Sequence, residues 1–258
     1  MPELIEVETY RRQAAATVGR VVADVIAPDS WYLKDTSGDE LAQVLPGRTV
    51  EAARRIGKLL ILDLSGEVRL GLRFGMTGRL VVDGDAAIAE LLYSTTRDEP
   101  TWSRFGLRFK PDGDLVIRDP RRLGGVSLEP DETHLGPDAA TVTPEQLAGA
   151  LQGAVALKAR LLDQSRLAGL GNLLVDEILW RASLDPARPA GSLEPSNVQT
   201  LSVVIRTTVV ELSDRGGSHT GDLQPARVAG ALCPRDGAPL QRRKIGGRTT
   251  ISCPRHQR

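Results

Sequence analysis

Pro2 is the residue whose type and position offer the most chemistry. A small second residue normally permits removal of the initiator Met1, which would leave a secondary amine at the chain start. An α-amine titrates near roughly pH 8, so a fraction of it is neutral and nucleophilic at neutral pH. Attack by such an amine on the aldehyde carbon of a sugar gives a cationic iminium directly. That cation acidifies the neighbouring C–H and eases elimination of phosphate. Glu3 stands beside it as a carboxylate able to donate or shuttle protons. The dipeptide alone decides nothing, because Met-Pro opens many chains. Cys233 and Cys253 are the only cysteines, and the tail from 241 to 258 carries Arg242, Arg243, Lys244, Arg248, Arg255 and Arg258 without a carboxylate side chain.

The chain that must position these residues has 258 residues, enough for one large domain or two medium ones. Hydrophobic residues make up 41% and aromatics only 3%, so aliphatic side chains must fill the cores. No apolar run reaches about 18 residues, which argues against a membrane span. The opening lacks a basic stretch followed by an apolar one, so the expected setting is a reducing cytoplasm. There the cysteines stay thiols or bind metal rather than pair as a disulfide. Lys+Arg and Asp+Glu are both 33, giving zero net charge, which by itself argues against a nucleic-acid partner. Local charge sets phosphate attraction, however, and the tail is locally basic.

Val7, Tyr10, Ala14 and Val18 follow helical spacing, predicting a helix over 3–18 that ends at Gly19. Short strands rich in branched residues follow at 21–27, 59–64, 68–72, 79–82, 107–109 and 115–118, interrupted by a helix over 38–45. After Pro130 the pattern turns helical. Thr143-Pro144-Glu145 reads as an N-cap, a first-turn proline and an acidic first turn. Further helices fit 157–163, 173–182 and 196–212, the last with Val198, Leu201, Ile205, Val209 and Leu212 on one stripe. The segment 231–257 reads as a small hairpin. The expected class is α+β.

Particular stretches carry more than pattern. They are Pro2-Glu3-Leu4-Ile5-Glu6-Val7-Glu8, Ile56-Gly57-Lys58-Leu59-Leu60, Gly75-Met76-Thr77-Gly78 and Asp119-Pro120-Arg121-Arg122-Leu123-Gly124. To these add Leu161-Leu162-Asp163-Gln164, Gly169-Leu170-Gly171-Asn172 and Gly247-Arg248-Thr249-Thr250. In that order along the chain they resemble the formamidopyrimidine-DNA glycosylase/endonuclease VIII family, from residue 2 to residue 257. Without the resemblance, Met76 reads as core, Arg121 and Arg122 as a solvated turn, Lys58 as a strand edge and Arg248 as a hairpin tip.

The resemblance implies an N-terminal β-sandwich with an N-terminal helix over 1–130, a helix-two-turn-helix domain over 131–230 and a zinc-finger-like β-hairpin over 231–258. It implies a bacterial, nucleoid-associated repair enzyme, monomeric and cytoplasmic, that removes oxidised bases from double-stranded DNA and cleaves abasic sites by β,δ-elimination. Pro2 would be the nucleophile, Glu3 its proton partner and Lys58 a phosphate contact and proton donor. Arg248 would bind the phosphate of the second elimination. Met76, Arg121 and Leu123 would fill the gap left by the flipped nucleotide, where a wedge offsets lost stacking. Asn172 would meet a phosphate at a helix N-terminus, and Glu6 would belong to the same DNA-facing set. Cys233, Asp236, Cys253 and His256 match the positions of a four-cysteine zinc hairpin. Zinc accepts sulfur, imidazole and carboxylate, so a structural Zn2+ is allowed there, with His219 as an alternative to Asp236.

Ile5, Leu123 and Arg73-Phe74 depart from the family's usual Pro, Phe and His-Leu, and 216–232 shows no loop to cap 8-oxoguanine. An oxidised pyrimidine or formamidopyrimidine therefore fits at least as well. Two rivals stand beside this reading. One is a non-catalytic or lyase-only protein binding damaged DNA on the same fold. The other is a tautomerase with a proline base, which explains Pro2 but not the Gly-Leu-Gly-Asn turn or the basic hairpin.

Overall fold

The computed structural model describes residues 2–92, 97 and 99–258. Met1, whose removal the amine chemistry requires, lies outside the described residues. The chain forms two compact units, one of Pro2 with Glu6–Glu132 and one of Glu3–Ile5 with Thr133–Arg258.

In the first unit, α1 (Leu4–Ala14) presents Val7, Tyr10 and Ala14 to the core. The helix is shorter than its periodicity suggests: a 3-10 turn over Ala15–Thr17 takes over before Gly19, whose φ of 85° reverses the chain. Then come β1 (Val21–Ile26), α2 (Gly38–Val44), β2 (Val50–Ile56), β3 (Leu59–Leu64), β4 (Val68–Arg73), β5 (Arg79–Val82), β6 (Ser103–Lys110), β7 (Asp114–Arg118) and β8 (Gly125–Leu128). Two antiparallel sheets result, ordered β1-β6-β7-β5 and β2-β3-β4-β8. Alternate residues of both sheets, Phe105, Leu107, Leu115 and Ile117 from one and Leu60, Leu62, Leu70 and Leu72 from the other, share one core. Leu59 and Ile61 are buried as well, so β3 is covered on both faces, which is why it reads as a continuous apolar run.

Two strands escape the sequence reading. β2 is Val-Glu-Ala-Ala-Arg-Arg-Ile, and its charges break the alternation. Tertiary partners absorb them: Arg54 bonds Asp63 at 2.8 Å and Glu132 at 2.5 Å, and Arg55 bonds Glu8 at 3.3 Å. β8 is only four residues long and becomes a strand by pairing with β4.

In the second unit, α3 (Pro144–Ala150) starts in a full capping box, Thr143 accepting from Gln146 N–H while the Gln146 side chain accepts from Thr143 N–H. α4 (Leu157–Leu162), α5 (Asn172–Arg181) and α6 (Pro195–Asp214) follow. The expected stripe of α6 is buried with Leu157, Leu161, Leu174 and Ile178. The hairpin β9 (Gln241–Ile245) and β10 (Arg248–Ser252) pairs antiparallel. Around it, Trp180, Leu223, Cys233, Ile251 and Cys253 form a smaller separate cluster. Among the described residues no helix is long and apolar enough to cross a membrane.

Leu62 is fully buried between the sheets. Leu62→Ala is expected to lower stability by roughly 2–5 kcal/mol through lost burial and a residual cavity, read as a shift in the urea midpoint with an unchanged slope.

Candidate functional site

The second unit begins with an ion seated on a helix. Glu3 is fully buried, and its carboxylate accepts N–H bonds from Gly171 (2.8 Å), Leu173 (2.9 Å) and Leu174 (3.2 Å), the first turn of α5. The helix dipole and otherwise unpaired N–H groups favour an anion there. Residue 171 must be glycine: a Cβ would lie 2.3 Å from the Glu3 carboxyl carbon. This revises one expectation. These N–H groups do not wait for a phosphate, because Glu3 already occupies them. Asn172 remains at the helix start, partly exposed, with its side-chain Oδ1 buried and lacking a protein partner. Pro2, one peptide bond from this anchor, is buried.

In the first unit, Glu6 is buried on α1, and Lys58 is half-buried just after Gly57, in the two-residue turn joining β2 to β3. Met76 sits in a turn between β4 and β5, and Arg121 and Leu123 sit in the segment before β8. The structure brings these two segments together: Arg121 Nη1 donates to Met76 Sδ at 3.9 Å. Leu123 is 49% exposed. Arg122 differs from its neighbour. It adopts φ of 56° and binds Asp29 through two nitrogens at 2.7 and 2.5 Å, which holds the Asp29 carboxyl below its usual range. Arg122 is therefore tied into the loop's framework by this ion pair, although its side chain stays 47% exposed.

The hairpin gathers a donor set. One ligand atom from each of Cys233, Asp236, Cys253 and His256 falls within 4.8 Å of the others. Two tight turns do this: Gly237 N–H bonds Cys233 C=O, and Gln257 N–H bonds Cys253 C=O, so positions three apart face the same point. His219 is exposed on the 3-10 turn Ser218–Thr220, outside the cluster, so the alternative ligand falls away. His256 Nε2 lies 3.3 Å from the Trp180 carbonyl, and a proton held there leaves Nδ1 facing Asp236 (2.8 Å) and Cys233 Sγ (3.8 Å). That is how a ligating imidazole is usually oriented. Trp180 Nε1 donates to Cys233 Sγ at 3.3 Å, which orients the sulfur within the cluster. Burial pushes the Cys253 thiol up, so its ionised form needs a cation beside it. The Ala238 N–H and His256 hold Asp236 well below the usual carboxylate range. Two sulfurs, one imidazole nitrogen and one carboxylate oxygen fit a tetrahedral divalent ion.

A second clamp on the hairpin was not legible as a site. Lys158 of α4 is fully buried, and its ammonium donates to Asp176 Oδ1 (2.6 Å) and to the Thr249 carbonyl (2.8 Å). Asp176 Oδ2 accepts from Arg227 (2.5 Å) and Ile251 N–H (3.3 Å). Burial pulls the Lys158 pKa down, and Asp176 opposes that shift. The signal was a lysine and an aspartate each adjacent to apolar residues, in Leu157-Lys158-Ala159 and Leu174-Val175-Asp176. Arg248, adjacent to the clamped Thr249, is exposed beside the Gly246-Gly247 turn, whose φ values are 57° and 74°.

Comparison with known proteins follows the same division. The family model of the formamidopyrimidine-DNA glycosylase N-terminal domain matches residues 1–126, and that of the formamidopyrimidine-DNA glycosylase H2TH domain matches 135–222. The formamidopyrimidine-DNA glycosylase of Carboxydothermus hydrogenoformans is 33% identical across the whole of both chains, and one from Cereibacter sphaeroides is 35% identical, also across both. Among solved structures, a mutant Lactococcus lactis FPG in complex with Fapy-dG-containing DNA is 27% identical, with a TM-score of 0.83 over all of both chains. The Lactococcus lactis Fpg bound to DNA containing an abasic site gives 0.82 over 99% of each.

Asp176→Asn is expected to lower stability by about 3–5 kcal/mol, because it leaves the buried Lys158 and the partly buried Arg227 short of their counter-charge. Thermal unfolding reads the loss, and faster amide exchange over 248–252 would place it at the hairpin.

Proposed function

The chain belongs to the formamidopyrimidine-DNA glycosylase family, and we propose that it performs the chemistry of that family through the amine of Pro2. It is a DNA glycosylase of base excision repair with abasic-site lyase activity. Its partner is double-stranded DNA carrying damaged bases or abasic sites. The observation that carries the Pro2 assignment is the anchoring of Glu3, whose three N–H bonds fix the residue next to the nucleophile.

The reaction follows from amine chemistry. The Pro2 nitrogen bonds the anomeric carbon as the bond to the damaged base breaks and the base leaves with a proton. Ring opening gives the iminium. Loss of the adjacent sugar proton expels the 3′ phosphate, and a second proton loss expels the 5′ phosphate. Lys58 neutralises phosphate and donates a proton in the first elimination. Arg248 binds the phosphate of the second, and Glu3 serves as proton partner. Glu6, Met76, Arg121, Leu123 and Asn172 face the DNA. The chain works as a monomer in the cytoplasm at the nucleoid, divided as 1–130, 131–230 and 231–258. Cys233, Asp236, Cys253 and His256 would hold a structural zinc, which supplies a rigid crosslink at the base of the hairpin and no step of catalysis. A carboxylate oxygen in place of sulfur makes this a harder site than one built of thiolates alone.

Borohydride trapping on abasic-site duplex DNA tests the nucleophile, using protein whose loss of Met1 has been verified by mass spectrometry. A covalent adduct that disappears in Pro2→Gly is expected; trapping that survives this substitution would remove Pro2 from the mechanism. Elemental analysis of protein purified without chelator should find stoichiometric zinc, and Cys253→Ser should lose it. Metal-free protein that unfolds at the same temperature as untreated protein would instead favour a bare His256–Asp236 ion pair at the hairpin base. Truncation before Ala231 should weaken DNA affinity and flatten its dependence on salt, because released counterions scale with phosphate contacts.

A further inference from the structure

Asp119 is fully buried, and the reaction scheme gives it no role. Its side chain accepts four hydrogen bonds. Oδ1 takes the Thr77 hydroxyl at 2.5 Å and the Arg121 N–H at 3.2 Å. Oδ2 takes the N–H groups of Leu123 and Gly124, both at 2.9 Å. Thr77 follows Met76 directly, whereas the other three donors belong to the segment carrying Arg121 and Leu123. One carboxylate therefore ties together two turns separated by more than forty residues. Its own backbone is fixed too: its N–H bonds the Trp102 carbonyl at 2.9 Å, and its carbonyl accepts Arg104 Nε at 2.9 Å.

The turns also touch directly. Gly75 has φ of 57°, and a Cβ there would meet the Leu123 carbonyl carbon at 2.4 Å; a Cβ on Gly124 would meet the Tyr32 hydroxyl at 2.1 Å. Such close approach leaves no slack for either turn to move alone. The outward result is a small projection with the exposed Leu123 and Arg121 on one turn and the half-buried Met76 on the other.

We propose that Asp119 is a positioning residue that makes the Met76 and Arg121–Leu123 turns a single preorganised wedge for opening duplex DNA at the lesion. The inference rests on the reading that this chain cleaves damaged DNA. Wedging a base stack requires side chains held against the restoring force of stacking. A buried anion with four donors supplies stiffness that a solvated loop lacks. Asp119→Asn turns one acceptor oxygen into an NH2 group facing N–H or O–H donors, so the turns lose their common anchor while the side-chain volume is kept.

The test compares one abasic site presented in a duplex, with 2-aminopurine opposite it, and in a single strand, which needs no wedge. Asp119→Asn is expected to slow cleavage of the duplex about tenfold and to reduce the 2-aminopurine rise on binding, leaving single-strand cleavage within about twofold. Thr77→Val removes one of the four donors and should move both readouts the same way by less; it carries the test if Asp119→Asn does not fold. Equal slowing on both substrates, or a wild-type fluorescence rise in the variants, overturns the wedge role. Should the unmodified protein cleave neither substrate, the lyase reading fails, while the 2-aminopurine rise on binding still decides the role of Asp119.

Discussion

Removing a carboxylate from water is unfavourable by several kcal/mol unless donors replace the lost solvent, and this protein meets that requirement at three fully buried acids. Glu3 takes the first turn of α5, Asp119 takes two turns of the first unit, and Asp176 takes Lys158, Arg227 and the backbone of β10. Each acid sits one or two residues from a group proposed to meet DNA, or clamps the strand that carries one. The loops gain a fixed geometry because an unsatisfied buried anion is not a tolerable alternative.

The hairpin illustrates how such constraints combine. Its hydrophobic cluster is small, built mainly on Trp180, Leu223 and Ile251 with the two cysteines. Small units with little apolar area to bury need a crosslink of another kind. At its base, the Cys233, Asp236, Cys253 and His256 set offers a metal site. Towards its tip, Lys158 and Asp176 grip the backbone at Thr249 and Ile251, on either side of Thr250. Arg248 is thus exposed at the end of a strand gripped from below, so its backbone is held while its side chain stays in solvent.

The first unit shows the complementary economy. Arg122 and Arg121 are neighbours of the same type and both exposed, yet one pairs with the Asp29 carboxylate and the other reaches the Met76 sulfur. Sequence cannot separate them, since both read as a basic turn. The difference comes from the left-handed backbone at Arg122, which turns its guanidinium onto a carboxylate more than ninety residues away.

The sequence by itself determined the elements with strong periodicity and the spacing of the residues proposed to carry the chemistry. α6 with its Val198-to-Leu212 stripe, the Thr143 cap, β3, β5 and the paired ligands three apart in the tail all depend on local spacing. Local spacing is preserved on folding. Only the tertiary structure decided which polar groups would be answered by which partners. It made β2 a strand by giving Arg54 and Arg55 distant acids. It filled the start of α5 with Glu3 rather than leaving it for a phosphate, brought Asp236 and not His219 beside Cys233, Cys253 and His256, and buried Lys158 against Asp176. These outcomes depend on contacts between residues far apart in the chain. The strength of each depends on how completely water is excluded, a property that no segment possesses before the chain folds.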